Sequence, residues 1–167
     1  MADRVSASIV IGGSLDATDF DELALVIAGE GLAIEWDGEP FEPHHRIAGE
    51  PLRLFAHEVT GGRFDDLEDW CLAHELPFVR WCGGYSGQWG PERVVARGDG
   101  NALSYAVTED DDVVISRSTV VALGSLEAVL AHFDAAEFAV PPLVVIGDPA
   151  READSADGPS VGGLHVE

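Results

Sequence analysis

An α+β fold built on an antiparallel sheet is what this sequence predicts, and three observations predict it. Apolar residues recur with a strand period of two and a helix period near 3.6, in alternation, along the first half. The two β-α-β stretches there share a short motif, and the second half turns to strands separated by Gly- and Asp-rich turns. The expected frame is a ferredoxin-like βαββαβ half over residues 5–82, extended by a β-meander and a third helix over 92–146.

Val5, Ala7, Ile9 and Ile11 alternate with Ser6, Ser8 and Val10 as a first strand ending at Gly12-Gly13. Thr18, followed by Asp21 and Glu22, resembles a helix start, with acids near the positive end of the helix dipole. Phe20, Leu23, Ala24 and Ile27 share one helical face, and Gly29 and Gly31 supply stops. Leu25 and Val26 fall off that stripe, and the third helix is the natural element to cover them. Leu32, Ile34 and Trp36 alternate as a second strand before the Asp37-Gly38 turn.

The grammar then repeats. Leu52, Leu54 and Ala56 form a strand face, while Phe64, Leu67, Trp70, Cys71 and His74 form a helical one. Residues 78–81 are the fourth strand. Gly12-Gly13, Phe20-Asp21-Glu22-Leu23 and Trp36 match Gly61-Gly62, Phe64-Asp65-Asp66-Leu67 and Trp81 in order. Strands follow at 94–97, 103–108 and 113–116, divided by Gly98-Asp99-Gly100-Asn101 and Glu109-Asp110-Asp111-Asp112. Ser125 caps a third helix with Leu126, Val129, Leu130 and Phe133 on its inner side. Pro141-Pro142 introduces Leu143, Val144, Val145 and Ile146, a short strand or an apolar segment pinned to the body. Residues 147–167 carry no periodicity and read as a disordered acidic tail, leaving 1–146 as a single domain.

Charge limits the function classes. Nine Arg and no Lys stand against 31 Asp and Glu, a net of −22, where a magnitude of about 2 to 8 keeps a small domain soluble. Such a field repels nucleic acid and anionic membrane and attracts basic proteins. An apolar fraction of 46% keeps the chain in the folded class despite that charge. No apolar stretch approaches the ~20 residues of a membrane span, no targeting segment is evident, and two cysteines are too few for a disulfide scaffold. A cytoplasmic protein is the expectation.

Within the second helix, Asp65, Asp66, Glu68, Asp69 and Glu75 are placed opposite the apolar face, with neighbours about 5–6 Å apart. Such a row is a crude copy of a phosphate backbone, with its charge every ~3.4 Å along a strand. Glu35, Asp37, Glu39 and Glu42 extend the acidic surface through the second strand and its loop. The stretch from Arg80 to Gly90, with Tyr85, Gln88 and Trp89, suits an aromatic anchor or a ligand loop. It lacks the Gly-Lys-Ser/Thr of a phosphate loop and the full G-x-S-x-G of a nucleophile elbow.

Metal and catalytic signals are weak. Cys71 and His74 stand one helical turn apart but on the core side, and no zinc or calcium spacing occurs. A Cys82–His57 dyad fails because the first strand separates the two in the expected sheet. No cofactor and no catalytic residue is assigned. Three readings follow. The first is a non-enzymatic acidic protein, of anti-restriction or anti-CRISPR type, that engages a basic nucleic-acid-handling protein or nucleoprotein complex by imitating nucleic-acid charge. The second is a small enzyme or ligand-binding protein with its pocket at 83–90. The third is a module whose acidity reflects only a GC-rich or halophilic composition.

Overall fold

A computed structural model describes residues 3–147; the expected tail over 148–167 lies outside the described residues. The described residues are α+β, with a five-stranded antiparallel sheet in the order β3-β1-β4-β5-β6, a separate two-stranded pair and four helices. The strands are β1 (Arg4–Ile11), β2 (Gly13–Asp16), β3 (Leu52–Thr60), β4 (Phe78–Cys82), β5 (Glu92–Ala96), β6 (Ala102–Ala106) and β7 (Leu143–Ile146). The helices are α1 (Ala17–Glu30), α2 (Asp65–Ala73), α3 (Arg117–Leu123) and α4 (Leu126–Ala136).

Alternation along β1 sorts the two sheet faces. Ala7, Ile9 and Ile11 are fully buried on the first face, where Phe20, Leu23 and Ile27 of α1 meet Phe64, Leu67 and Cys71 around α2. All six of those helical residues, read from the sequence as the inner stripes, lie in this core. The second face holds a smaller cluster of Val95, Tyr105 and Ala136, with Val79, Val113 and Phe138 packed beside it. There α4 lies against the sheet: His132 meets Tyr105 at 5.2 Å between ring centroids, and Ala136 accepts from Arg93 Nη1.

Several expected elements come out differently. Residues 32–36 form no strand; only Ala33 bridges to Phe55, so the outer strand at that edge is reduced to one pairing. Asp37 turns the chain, and Trp36 folds across the sheet onto Phe55 and His57, at 4.9 and 5.0 Å. The 113–116 strand likewise shrinks to a bridge between Val113 and Val107, because Ser116 caps α3 instead, accepting from the Thr119 N–H. The N-cap of α1 is Asp16, not Thr18, and accepts from Asp19 N–H at 2.8 Å.

The third helix does not cover α1. Because α4 occupies the second sheet face, Leu25 stays 74% exposed, while Val26 packs on the first core. Its own expected inner face is also wrong in part: Leu126 is 73% exposed and Leu130 54%. The expected apolar segment after Pro142 is pinned to the body, as β7, parallel to β2. In the proposed internal repeat only the Phe-x-x-Leu pairs take equivalent roles in the core; Trp36 lies in a loop and Trp81 in β4.

Candidate functional site: an acidic helical layer over a buried arginine

The outer surface of the α1–α2 layer carries two rows of acids. Apolar spacing turns Phe20, Leu23 and Ile27 inward, so Asp21 and Glu22 of α1 are left in solvent. On α2 the same logic exposes Asp65, Asp66 and Asp69, with Glu75 just beyond its end. The two rows meet. Carboxylates of Asp19 and Glu22 come within 4.8 Å of the His74 ring nitrogens, and Glu30 accepts from the Leu67 N–H at 3.3 Å. Neither helix contains a Lys or Arg. The α1 acids were not singled out from sequence, although Asp19 and Glu22, three apart, are the same signal that was followed on α2.

Glu30 has a second task. The N-cap residue of α2 is Phe64, which offers no side-chain cap, so the free N–H groups of the first turn need acceptors from elsewhere. Glu30 supplies one from α1, and Glu68 supplies another by accepting from Phe64 N–H at 2.8 Å. Burial and the neighbouring Asp66 and Asp65 push the Glu30 carboxyl above its ordinary range, against the Leu67 hydrogen bond that lowers it. A groove of about 400 Å³ opens here, between Glu30, Glu58, Asp65 and Asp66, with Arg63 at its side.

Glu68 is not part of the exposed row. Its side chain is 12% exposed and turns inward to Arg80, whose Nε donates to it at 3.1 Å. Arg80 is 2% exposed on the inner face of β4, between Phe78 and Cys82, and its Nη1 donates to Glu92 at 3.1 Å. The Ser104 hydroxyl closes the cluster on the far side of Glu92. Burial pushes Glu68 up, and the attraction of Arg80 does not fully offset it. Burial also acts upward on Glu92, but the Ser104 hydrogen bond and Arg80 outweigh it and hold that carboxyl below the usual range. Arg80 is therefore a core cation rather than the anchor expected of the 80–90 stretch.

The rest of that stretch closes on itself. Tyr85 and Trp89 stack at 5.4 Å, their backbones pair across the turn, and Trp89 Nε1 donates to Gly83 O. Gln88 remains exposed at the tip. The cavity beside Trp89, about 260 Å³, is lined by Gly61, Arg63, Cys82, Gly90 and Glu92. A ligand site is normally larger, at about 300–1,000 Å³, and mostly apolar.

The acids of the 35–42 loop reach the β3 edge, where His57 lines the same groove as Asp65 and Asp66. Asp37 pairs with His57 at 3.1 Å, and His57 shares the second sheet face with Phe55, across the sheet from α2. Glu42 takes part in capping the 3₁₀ turn Pro43–His45, and Glu39 lies 3.9 Å from His45. The Cys71–His74 pair is divided: Cys71 is buried, its thiol pushed up to about 12 by burial and by Glu68, while His74 is exposed and stacks on Trp70 at 3.7 Å. As expected, β1 separates Cys82 from His57. No known protein family, curated protein or solved structure matches this chain.

Among the described residues no single helix is long and apolar enough to cross a membrane. The α3–α4 pair has the length and composition together, but it is bent by 114°.

Proposed function

We propose that this is a non-enzymatic acidic binding protein whose α1–α2 layer engages a basic, nucleic-acid-handling partner in the groove that partner keeps for nucleic acid. One observation carries the reading: two adjacent helices, neither containing a Lys or Arg, present Asp19, Asp21, Glu22, Asp65, Asp66 and Asp69 at their surface, with Arg63 beside the row just before α2. Like-charged neighbours at helical spacing cost a few tenths of a kcal/mol per pair, so the fold carries this row at the expense of its own stability. Carboxylates spaced over two helices answer the Lys and Arg of a groove shaped for phosphates. An inhibitor of a restriction or CRISPR-type complex, acting in the cytoplasm, fits this chemistry. We read the supporting half as a ferredoxin-like frame whose outer strand is cut down to the Ala33 bridge.

The test is retention of nucleic-acid-binding proteins on the immobilised chain. Retention is expected at low ionic strength and is lost as salt rises through physiological strength, where the Debye length is about 8 Å. Reversing Asp65, Asp66 and Asp69 to Lys abolishes it, mainly through slower association. Glu68 is left out of that set because its charge is structural. Retention indifferent to both salt and the three reversals refutes the reading.

A further inference from the structure

Where the start of α1 meets the end of α2, an imidazole joins the acids. Asp19 and Glu22 stand three residues apart and share a face of α1, and His74 follows the last residue of α2. One oxygen of each carboxylate and one ring nitrogen of His74 lie within 4.8 Å of one another. Among the described residues neither carboxylate has a hydrogen-bond or ionic partner; Asp19 is bonded only through its backbone N–H, to Asp16. Three ligand atoms thus converge without satisfying one another.

The imidazole sets this group apart from the rows of acids. The Trp70 carbonyl accepts from the His74 backbone N–H at 3.1 Å and stands 2.9 Å from His74 Nδ1. A carbonyl can only accept, so Nδ1 donates to it and the neutral ring keeps its lone pair on Nε2. The ring is also held in place, stacked on the Trp70 indole at 3.7 Å and 18°. A histidine whose other nitrogen donates to a backbone carbonyl is the usual form of a metal ligand, because that bond fixes tautomer and orientation together. The negative end of the α2 dipole lies beside it and favours a cation.

A second group of similar composition, Glu42, His44 and His45, shows the contrast. There the Glu42 N–H donates to His45 Nδ1 at 3.0 Å, so the neutral ring carries its proton on Nε2, 3.9 Å from Glu39. That nitrogen offers a proton where a metal ligand offers a lone pair.

We propose that Asp19, Glu22 and His74 Nε2 form a site for one Zn²⁺ ion, completed by water, that joins the first turns of α1 to the end of α2. The two carboxylates balance the charge of the ion. Carboxylate oxygen with imidazole nitrogen is a donor set that suits zinc, whereas Mg²⁺ and Ca²⁺ seek six or more oxygen ligands. Ligand atoms on a tetrahedral zinc stand about 3.3 Å apart, so the three must close by at most about 1.5 Å. Rotation of Glu22, which is exposed, and of Asp19, which is partly so, covers that distance. The net charge of −22 raises the local concentration of cations. This site stands independently of the basic partner proposed for the acidic layer.

Calorimetric titration of the full chain with Zn²⁺ in excess Mg²⁺ tests this. Mg²⁺ occupies the diffuse rows of acids, and one zinc equivalent per chain is expected above that background. His74→Ala weakens it at least tenfold and Glu22→Gln weakens it too, whereas His44→Ala leaves it unchanged. Zinc raises the melting temperature of the unaltered chain, because it binds the folded arrangement, and does not raise that of His74→Ala. The melting temperatures of the metal-free variants, both altered at exposed positions, show that the fold is kept. Co²⁺ reads the site itself: a paramagnetic ion on His74 quenches the stacked indole, so part of the tryptophan quenching disappears with Trp70→Phe. No zinc binding beyond that of Mg²⁺ overturns the proposal. So does an equivalent indifferent to His74→Ala, one lost with His44→Ala instead, or cobalt quenching that Trp70→Phe leaves unchanged.

Discussion

Arg80 is buried on the inner face of β4 against the carboxylates of Glu68 and Glu92, and its burial makes the arrangement sensitive to any single loss. Removing one partner of a buried ion pair leaves an uncompensated charge and costs about 3–5 kcal/mol. Arg80→Ala is therefore expected to lower unfolding free energy by that order, read by denaturant titration, and Glu68→Lys to do the same by placing two cations together. The paired control is Asp69→Lys, one position along α2, which leaves the midpoint unchanged or slightly raised because it relieves like-charge neighbours. This contrast was within reach of the sequence. Glu68 is four residues from Phe64 and three from Cys71, so helical spacing puts it on the inner stripe. Arg80 alternates with Phe78 and Cys82, so strand spacing puts it there too. An inward cation demands an inward acid, and the two positions name each other. The pairing of Trp36 with Trp81 at 6.4 Å, by contrast, depends on how a loop folds and leaves no periodic trace.

Among the elements, those with strong periodicity were legible and those defined by a neighbour were not. α1, α2, β1, β3 and β4 carry clean apolar patterns, and most of their inner residues came out as the core, although His74 of the expected α2 face is exposed and Trp70 only half-buried. β2 has four residues and exists because β7 lies beside it in parallel. α3 hides within a β-branched run, and only its Ser116 cap and Gly124 stop mark it. The β2–β7 pair also supplies a test of packing. Gly12 joins β1 to β2 where a Cβ would stand 1.9 Å from the Pro141 carbonyl oxygen and 2.8 Å from Val140. Gly12→Ala must displace the strap that leads into β7, and overpacking of this kind costs about 1–3 kcal/mol. Thermal unfolding checks it, and an unchanged melting temperature would show that the strap is loosely held. Gly31→Ala is not an equivalent control, since its backbone is left-handed at φ 72°. Gly29 inside α1, with open space around it, is.

At the scale of the whole molecule the charge governs stability as well as partners. Glu30, Glu68 and Asp111 are all raised, each chiefly by burial, so the folded chain binds protons more tightly than the unfolded one. Stability then rises as pH falls from neutral towards the ordinary Glu value of about 4.3. Glu92 is lowered and acts in the opposite sense: its contribution is present above that ordinary value and is lost as pH drops through its folded value. The expected profile is a melting temperature that climbs on mild acidification and collapses only below the carboxylate range. A steady fall from neutral pH would contradict these directions. Sequence showed the size of the charge at once, but not its arrangement, because the approach of α1 to α2 and the contact of Asp37 with His57 are tertiary facts.

Competition with DNA tests the central claim most directly. A partner held by the α1–α2 layer through its nucleic-acid groove cannot hold duplex DNA at the same time. Titrating the chain into a preformed complex of that partner with labelled DNA should release the DNA in proportion. Release should weaken as salt rises and disappear with the Asp65, Asp66 and Asp69 reversals to Lys. A ternary complex in which DNA stays bound while the chain is attached would contradict the account.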